Sequence, residues 1–333
     1  MSISFTDQRI SELIDWLQNG LNLDIQQLEA ASSDASFRRY FRVTHSNGHH
    51  IVMDAPPQKE NTTAFLHVAE LLRQADLHIP IIYHKNIAQG FLLLEDLGSS
   101  SLLDCLSPAS VDGLYRQALD SVFKLQTGIN IHSCELPVYD SALLQRELNI
   151  FYEWFLEKRL ALMLPESIKH CLQQLLIDSA LEQPRVCVHR DFHSRNLMVT
   201  ANDTLGIIDF QDAVIGPICY DLVSLLRDCY ISWPNSQVEL WLNCYYQRLL
   251  NAKLLDIHFK QFKRWFDLMG LQRHLKAIGI FSRLDLRDDK SGYLADIPRT
   301  MAYISDICEI YPELVEFNFF LQHQILPIYR ATL

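Results

Sequence analysis

The chain has 333 residues, of which 49% are hydrophobic and 21% charged, so it can bury one large core or two smaller ones. Its formal net charge of −11 argues against DNA or RNA as the main partner, because a polyanion calls for a basic surplus. No apolar run reaches the ~20 residues needed to span a bilayer.

The opening stretch, TDQRISELIDWLQNG, reads as a helix. Thr6 is its expected N-cap, Ile10, Leu13, Ile14 and Leu17 form one face, and Gly20 ends it. The acidic, amphipathic start does not resemble a secretory signal. The eight cysteines show neither C-x-x-C nor zinc-site spacing, and are expected as buried or partly buried thiols of a reducing compartment. The expectation is a soluble cytoplasmic protein with no nucleic-acid, membrane or obligate protein partner.

SFRRYFRVTHSNGHHIVMDAPP then changes period, with two extended segments around Asn47-Gly48 in the manner of a hairpin. NTTAFLHVAELLRQAD returns to helical spacing through Phe65, Val68, Ala69 and Leu72. IPIIYHKNIAQGFLLLEDLG reads as two strands turning near Gly90. After residue 100 the pattern is helical in SVDGLYRQALDSVFKLQ and SALLQRELNIFYEWFLEKRL. A β-rich island, RVCVHRDFHSRNLMVTANDTLGIIDFQD, interrupts it before helices resume at Tyr220. These elements predict an α+β chain, with a small antiparallel-sheet lobe over residues 1–98 and a mostly helical lobe over 99–333.

The chemistry concentrates in the island. His189, Asp191 and His193 alternate in HRDFHSRN, which suggests a metal site, but VCVHRDF reads as a strand entering a loop and no further His or Cys follows at ligand spacing. The same residues fit phosphoryl transfer. A kinase catalytic loop, H-R-D-x-x-x-x-N, uses its Asp to orient the acceptor hydroxyl and take its proton, and its Asn to hold magnesium. Asp191 and Asn196 have that spacing, and the strand GII delivers Asp209 before Phe210 as a second magnesium carboxylate. The ordered set favours phosphoryl transfer over a metallohydrolase.

At HRDFHSRN and IIDFQD the chain resembles the aminoglycoside phosphotransferase and choline kinase family, small-molecule relatives of protein kinases. That likeness implies a protein-kinase-like two-lobed fold that uses ATP and Mg2+. It also implies that Asp221, in GPICYDLVSLLRD, anchors the catalytic loop, with His189 as a structural residue. Over residues 30–290, SDASFRRYFRV, IVMDAPP, LLLEDLG and LQRHLKAIGIFSRL add a resemblance to the bacterial anomeric kinases of N-acetylmuramate and N-acetylglucosamine. The implied product is an α-sugar 1-phosphate, formed in cell-wall recycling. Other acceptors (an aminoglycoside, choline or homoserine) would keep the same core motifs, and a nucleotide-binding pseudokinase remains a further reading.

Two features depart from the kinase pattern. ASSDASFRRYF has no glycine where kinases cover the phosphates, leaving Ser33 and Ser36 as candidate nucleotide contacts. Asp54 falls where the phosphate-binding Lys is expected. Arg38 or Arg42 is the expected replacement cation, with Glu70 as a partner; exposed arginines are the alternative. LLLEDLG resembles the adenine-binding hinge, implying backbone contacts at Glu95–Leu97. For the sugar, His193, Glu147, Arg227 and Asp228 are the polar candidates, and Tyr152, Trp154 and Trp233 the aromatic ones.

Overall fold

A computed structural model describes residues 7–32 and 37–332, which divide into two compact units: Met1–Ser100 with Met198–Gln211, and Ser101–Leu197 with Asp212–Leu333. The first unit is built on a five-stranded antiparallel sheet in the order β1-β2-β3-β5-β4. Its strands are β1 (Ile25–Ser32), β2 (Arg39–His45), β3 (Gly48–Asp54), β4 (Ile82–Asn86) and β5 (Phe91–Glu95). The hairpin at Asn47-Gly48 forms as the sequence suggests, with His45 opposite Gly48. Strand β1 is not evident in the sequence, because IQQLEAAS alternates too weakly to show its buried side.

One face of the sheet is covered by α1 (Gln8–Asp15), which continues as a wider helical turn to Gly20. Leu13 and Leu17 are fully buried there among Phe41, Val43, Val52, Phe91 and Leu93, each worth about 1.5–3 kcal/mol of apolar burial. Thr6, the expected cap, lies outside the described residues; Asp7 caps α1 by accepting from the Arg9 amide. The second helix, α2 (Thr62–Gln74), starts at an Asn61 cap and buries Phe65, Val68, Ala69 and Leu72. Gly90 is required where it stands: its φ is +74°, and a Cβ would lie 1.9 Å from the Ala55 carbonyl oxygen.

The second unit is mostly helical: α3 (Leu102–Cys105), α4 (Val111–Gly128), α5 (Ser141–Ile150), α6 (Glu166–Leu181), α7 (Tyr220–Leu226), α8 (Asn235–Asn251), α9 (Phe259–Asp288), α10 (Ile297–Ile310), α11 (Val315–Phe320) and α12 (Leu326–Ala331). The 30-residue α9 is its buried axis, with Leu268, Leu271, Leu275, Ile278 and Phe281 in the main apolar cluster. Gly279 lets α5 approach closely, since a Cβ there would sit 2.6 Å from the Phe151 amide nitrogen.

Strands β6 (Arg185–Val188) and β9 (Val214–Pro217) pair antiparallel, and β6 carries the chain into the loop at 189–196. Between them β7 (Leu197–Val199) pairs with β8 (Leu205–Ile207). All eight cysteines are free; five are buried, but Cys171 and Cys244 are exposed, contrary to expectation. Among the described residues no helix is long and apolar enough to cross a membrane.

Candidate active site

The loop after β6 is held by carboxylates pointing at its backbone. Asp221, fully buried in the first turn of α7, accepts the amides of His189 (2.7 Å) and Arg190 (3.1 Å). Arg190 has φ +78°, a strained value for a residue with a Cβ, and these bonds help hold it there. Asp228 accepts the amides of Ser194 (2.8 Å) and Tyr230 (2.9 Å). Within the loop, the Asp191 carbonyl accepts both the His193 amide (3.0 Å) and Asn196 Nδ2 (3.0 Å). This bond fixes the Asn196 side-chain amide.

A cationic set surrounds this loop. Arg190 Nη2 donates to Glu147 Oε1 at 2.5 Å, and Lys276 Nζ lies 2.9 Å from the same oxygen. The other Glu147 oxygen accepts from the Tyr139 hydroxyl and from Gln272. Arg273 of α9 places Nη2 3.5 Å from the Arg190 carbonyl oxygen. Burial raises the Asp191 carboxyl, but Lys276, His193, Arg190 and Arg273 more than reverse this, so its pKa falls below the ordinary carboxylate value. Asp191 is therefore ionised at neutral pH. His193 is pushed down by burial, against the pull of Asp228 and Asp191, and its buried Nδ1 has no hydrogen-bond partner among the described residues.

The loop does not form the alternating metal cluster that its sequence suggests. His189 Nδ1 accepts the Asp191 amide at 3.3 Å, and no set of three or more His, Cys, Asp or Glu among the described residues is arranged to hold a metal. The residues expected at magnesium fit a hard cation by donor type, since a carboxylate and an amide supply oxygen ligands. Asp209 belongs to the first unit, just past β8; its φ is +62°, and its Oδ1 accepts Gln211 Nε2 at 2.7 Å.

The expected sugar contacts Glu147, Arg227 and Asp228 engage protein partners instead. All three are buried: Glu147 in the cluster above, Asp228 on two amides, and Arg227 in an ion pair with Asp267 at 2.7 Å. The expected aromatics are likewise committed. Tyr152 is in the core, Trp154 lies under the Lys158 ammonium, and Trp233 donates to the Tyr115 hydroxyl. A different aromatic group borders the loop: Tyr230 meets His193 edge-on, Phe281 packs near Tyr230 and Tyr293, and the Arg195 guanidinium lies 3.7 Å from the Tyr230 ring centre. Tyr230 and Tyr293 carry no motif spacing, so only the fold reveals them.

In the first unit, Ser33 and Ser36 lie outside the described residues. Asp54 is fully buried and needs no phosphate-side compensation, because two arginines already hold it. Arg9 Nε donates to Oδ1 at 2.9 Å, and Arg39 donates to Oδ2 at 2.5 and 3.0 Å. Arg42 instead clamps Asp96 at 2.6 and 2.9 Å and the Gly98 carbonyl at 3.0 Å, while Arg38 pairs with Glu60. Glu70 binds Arg73 and Gln74, not an arginine of β2. The Glu95 amide is taken by the Ile81 carbonyl, and the Leu97 side chain packs over Gly206.

Known proteins resemble this chain in sequence and in fold. Residues 27–253 match the model of the phosphotransferase enzyme family. The N-acetylmuramate/N-acetylglucosamine kinase of Pseudomonas putida is 44% identical, over 94% of this chain and 95% of its own length. Choline kinase LicA from Streptococcus pneumoniae shares the fold with a TM-score of 0.65 at 14% identity, covering 90% of this chain and all of its own. An ADP-bound aminoglycoside phosphotransferase, APH(2'')-Ib, gives a TM-score of 0.59 at 16% identity, covering 90% and 99%. The fold is protein-kinase-like, and the chain belongs to the phosphotransferase enzyme family.

Proposed function

We propose that this kinase transfers the γ-phosphoryl of ATP to the anomeric hydroxyl of an N-acetylated amino sugar, N-acetylmuramate or N-acetylglucosamine. The product would be the α-1-phosphate, formed in the recycling of cell-wall sugars in the cytoplasm. The observation that carries this reading is the 44% identity, sustained over nearly the whole chain, to a relative that bears the name of that activity. The loop chemistry supports it. Asp191 is an ionised carboxylate of modest basicity, and an anomeric hydroxyl is more acidic than an ordinary alcohol, so Asp191 can orient it and accept its proton.

Asn196 and Asp209 are the proposed holders of Mg2+, which would supply positive charge to offset that of the phosphates. Asp221 and Asp228 keep the loop in register by accepting its amides. In the first unit, the backbone at Asp96 and Leu97 is the proposed adenine contact, since the Glu95 amide is already engaged. Ser33 and Ser36 are proposed at the phosphates on their sequence position alone. His193, with its buried unpartnered Nδ1, and the ring of Tyr230 offer a polar contact and an apolar face to a sugar.

A coupled ADP-release assay tests this reading. With magnesium-ATP, the two amino sugars are run against aminoglycosides, choline and homoserine. Release that depends on an amino sugar is expected; release only with another acceptor, or with none, contradicts the reading.

A further inference from the structure

Resting on the functional reading above, we propose that Arg273 is a catalytic residue, whose guanidinium stabilises the phosphoryl group as it passes to the sugar hydroxyl. Phosphoryl transfer spreads charge over the equatorial oxygens, and a protein cation usually meets it. In this chain the strand position of that cation is Asp54, itself neutralised by Arg9 and Arg39. Arg42 is closed on Asp96 and Arg38 on Glu60, and the stretch Ser33-Asp34-Ala35-Ser36 contains no cation. The arginines of β1–β3 and their flanks are thus tied to carboxylates.

Arg273 is not. It is half-buried on α9, its guanidinium lies over the Tyr220 ring at 4.9 Å and hydrogen-bonds the Tyr220 side chain, and Nη2 makes a long 3.5 Å approach to the Arg190 carbonyl. Its Nε is buried without a hydrogen-bond partner, and among the described residues it forms no ion pair with a carboxylate. The nearby Glu147 is shared by Arg190 and Lys276. A buried guanidinium N–H left unpartnered, on a side chain with no carboxylate paired to it among the described residues, is costly unless an anion meets it. Arg273 Nη2 reaches the backbone of Arg190, the residue before Asp191, so the guanidinium stands beside the loop to which the proposed acceptor hydroxyl is brought.

In the step, the hydroxyl oxygen forms the new bond to the γ-phosphorus while the bond from that phosphorus to the β–γ bridging oxygen breaks. The electron pair of the broken bond leaves with ADP, and the hydroxyl proton passes to Asp191. Arg273 would bind the equatorial oxygens through its planar fork of donors.

The experiment compares the unaltered enzyme with Arg273→Ala in ADP release from magnesium-ATP, using each amino sugar in turn. The expected result is a kcat lower by about 10²–10³-fold with both sugars, with the KM values for sugar and ATP within about threefold. Added guanidinium ion is expected to restore part of the rate, which a structural defect would not allow. Four results would overturn the proposal: a kcat within about threefold of the unaltered enzyme, raised KM values at unchanged kcat, no recovery with guanidinium, or a loss confined to N-acetylmuramate. The last would assign the cation to that sugar's carboxylate. Should the alanine variant fail to fold, Arg273→Gln reads the same kcat and KM values. If the unaltered enzyme uses neither amino sugar, the functional reading fails by itself, and the variants are compared on the acceptor that supports turnover.

Discussion

Single carboxylates do most to shape the candidate site. Burial pushes Asp221 up to about 7, even though two backbone amides favour its ionised form, so the loop anchor carries a desolvation cost. Glu147 goes the other way: burial would raise it, but Lys276, Arg190 and the Tyr139 hydroxyl bring it down to about 2, from an ordinary 4.5. A carboxylate depressed in the folded state stabilises it above the unfolded pKa, and that contribution is lost as pH falls towards the folded value. Glu147→Gln should therefore cost about 3–5 kcal/mol at pH 7, because it leaves Arg190 and Lys276 buried without their counter-ion. The difference from the unaltered protein should shrink between pH 4.5 and 2. Urea unfolding at several pH values measures this; a difference independent of pH would contradict the assignment. The sequence offered Glu147 as a sugar contact and hid its ion pairs, since those partners lie on the distant β6 loop and α9.

Among the elements, β2 and the segment after β5 are tied together by one side chain. Arg42 holds Asp96 with two hydrogen bonds and also reaches the Gly98 carbonyl, while the Asp96 carboxylate accepts the Gly98 amide at 2.9 Å. These bonds set the backbone at the proposed adenine contact. Arg42→Ala should raise the KM for ATP about three- to tenfold, the worth of a partly exposed bidentate pair, while leaving the KM for sugar unchanged. Steady-state kinetics with each substrate varied checks it, and an unchanged KM for ATP would rule out the role. The face of Arg42 was legible from strand alternation, but its partner was not. Periodicity also exposed α1, α2 and the β2–β3 hairpin, all with clear apolar faces. It missed β1 and β9, because IQQLEAAS shows no regular alternation and VIGP is too short to show a period.

For the whole molecule, the family was the most legible feature, because the motifs that indicate it lie within a short stretch at fixed spacing. HRDFHSRN and IIDFQD indicated the family that the comparison with known proteins supports. The acceptor side was least legible. Of the aromatics suggested by local spacing, Tyr152 is core and Trp154 and Trp233 are engaged by Lys158 and Tyr115, whereas Tyr230 and Tyr293 reach His193 and Arg195 only through the packing of α7, α9 and their connections. Arg273 was hidden in the same way: LQRHLK reads as part of a long helix until the fold brings it beside the loop at 189–196. The central claim is that Asp191 directs phosphoryl transfer to the anomeric oxygen. Phosphorus NMR of the product formed from N-acetylglucosamine and magnesium-ATP tests it most directly, with Asp191→Asn run in parallel. The unaltered enzyme should give a phosphomonoester coupled to the anomeric proton, and the asparagine variant should give none while still binding ATP. Phosphate on another hydroxyl, or turnover by Asp191→Asn at the native rate, would contradict the account.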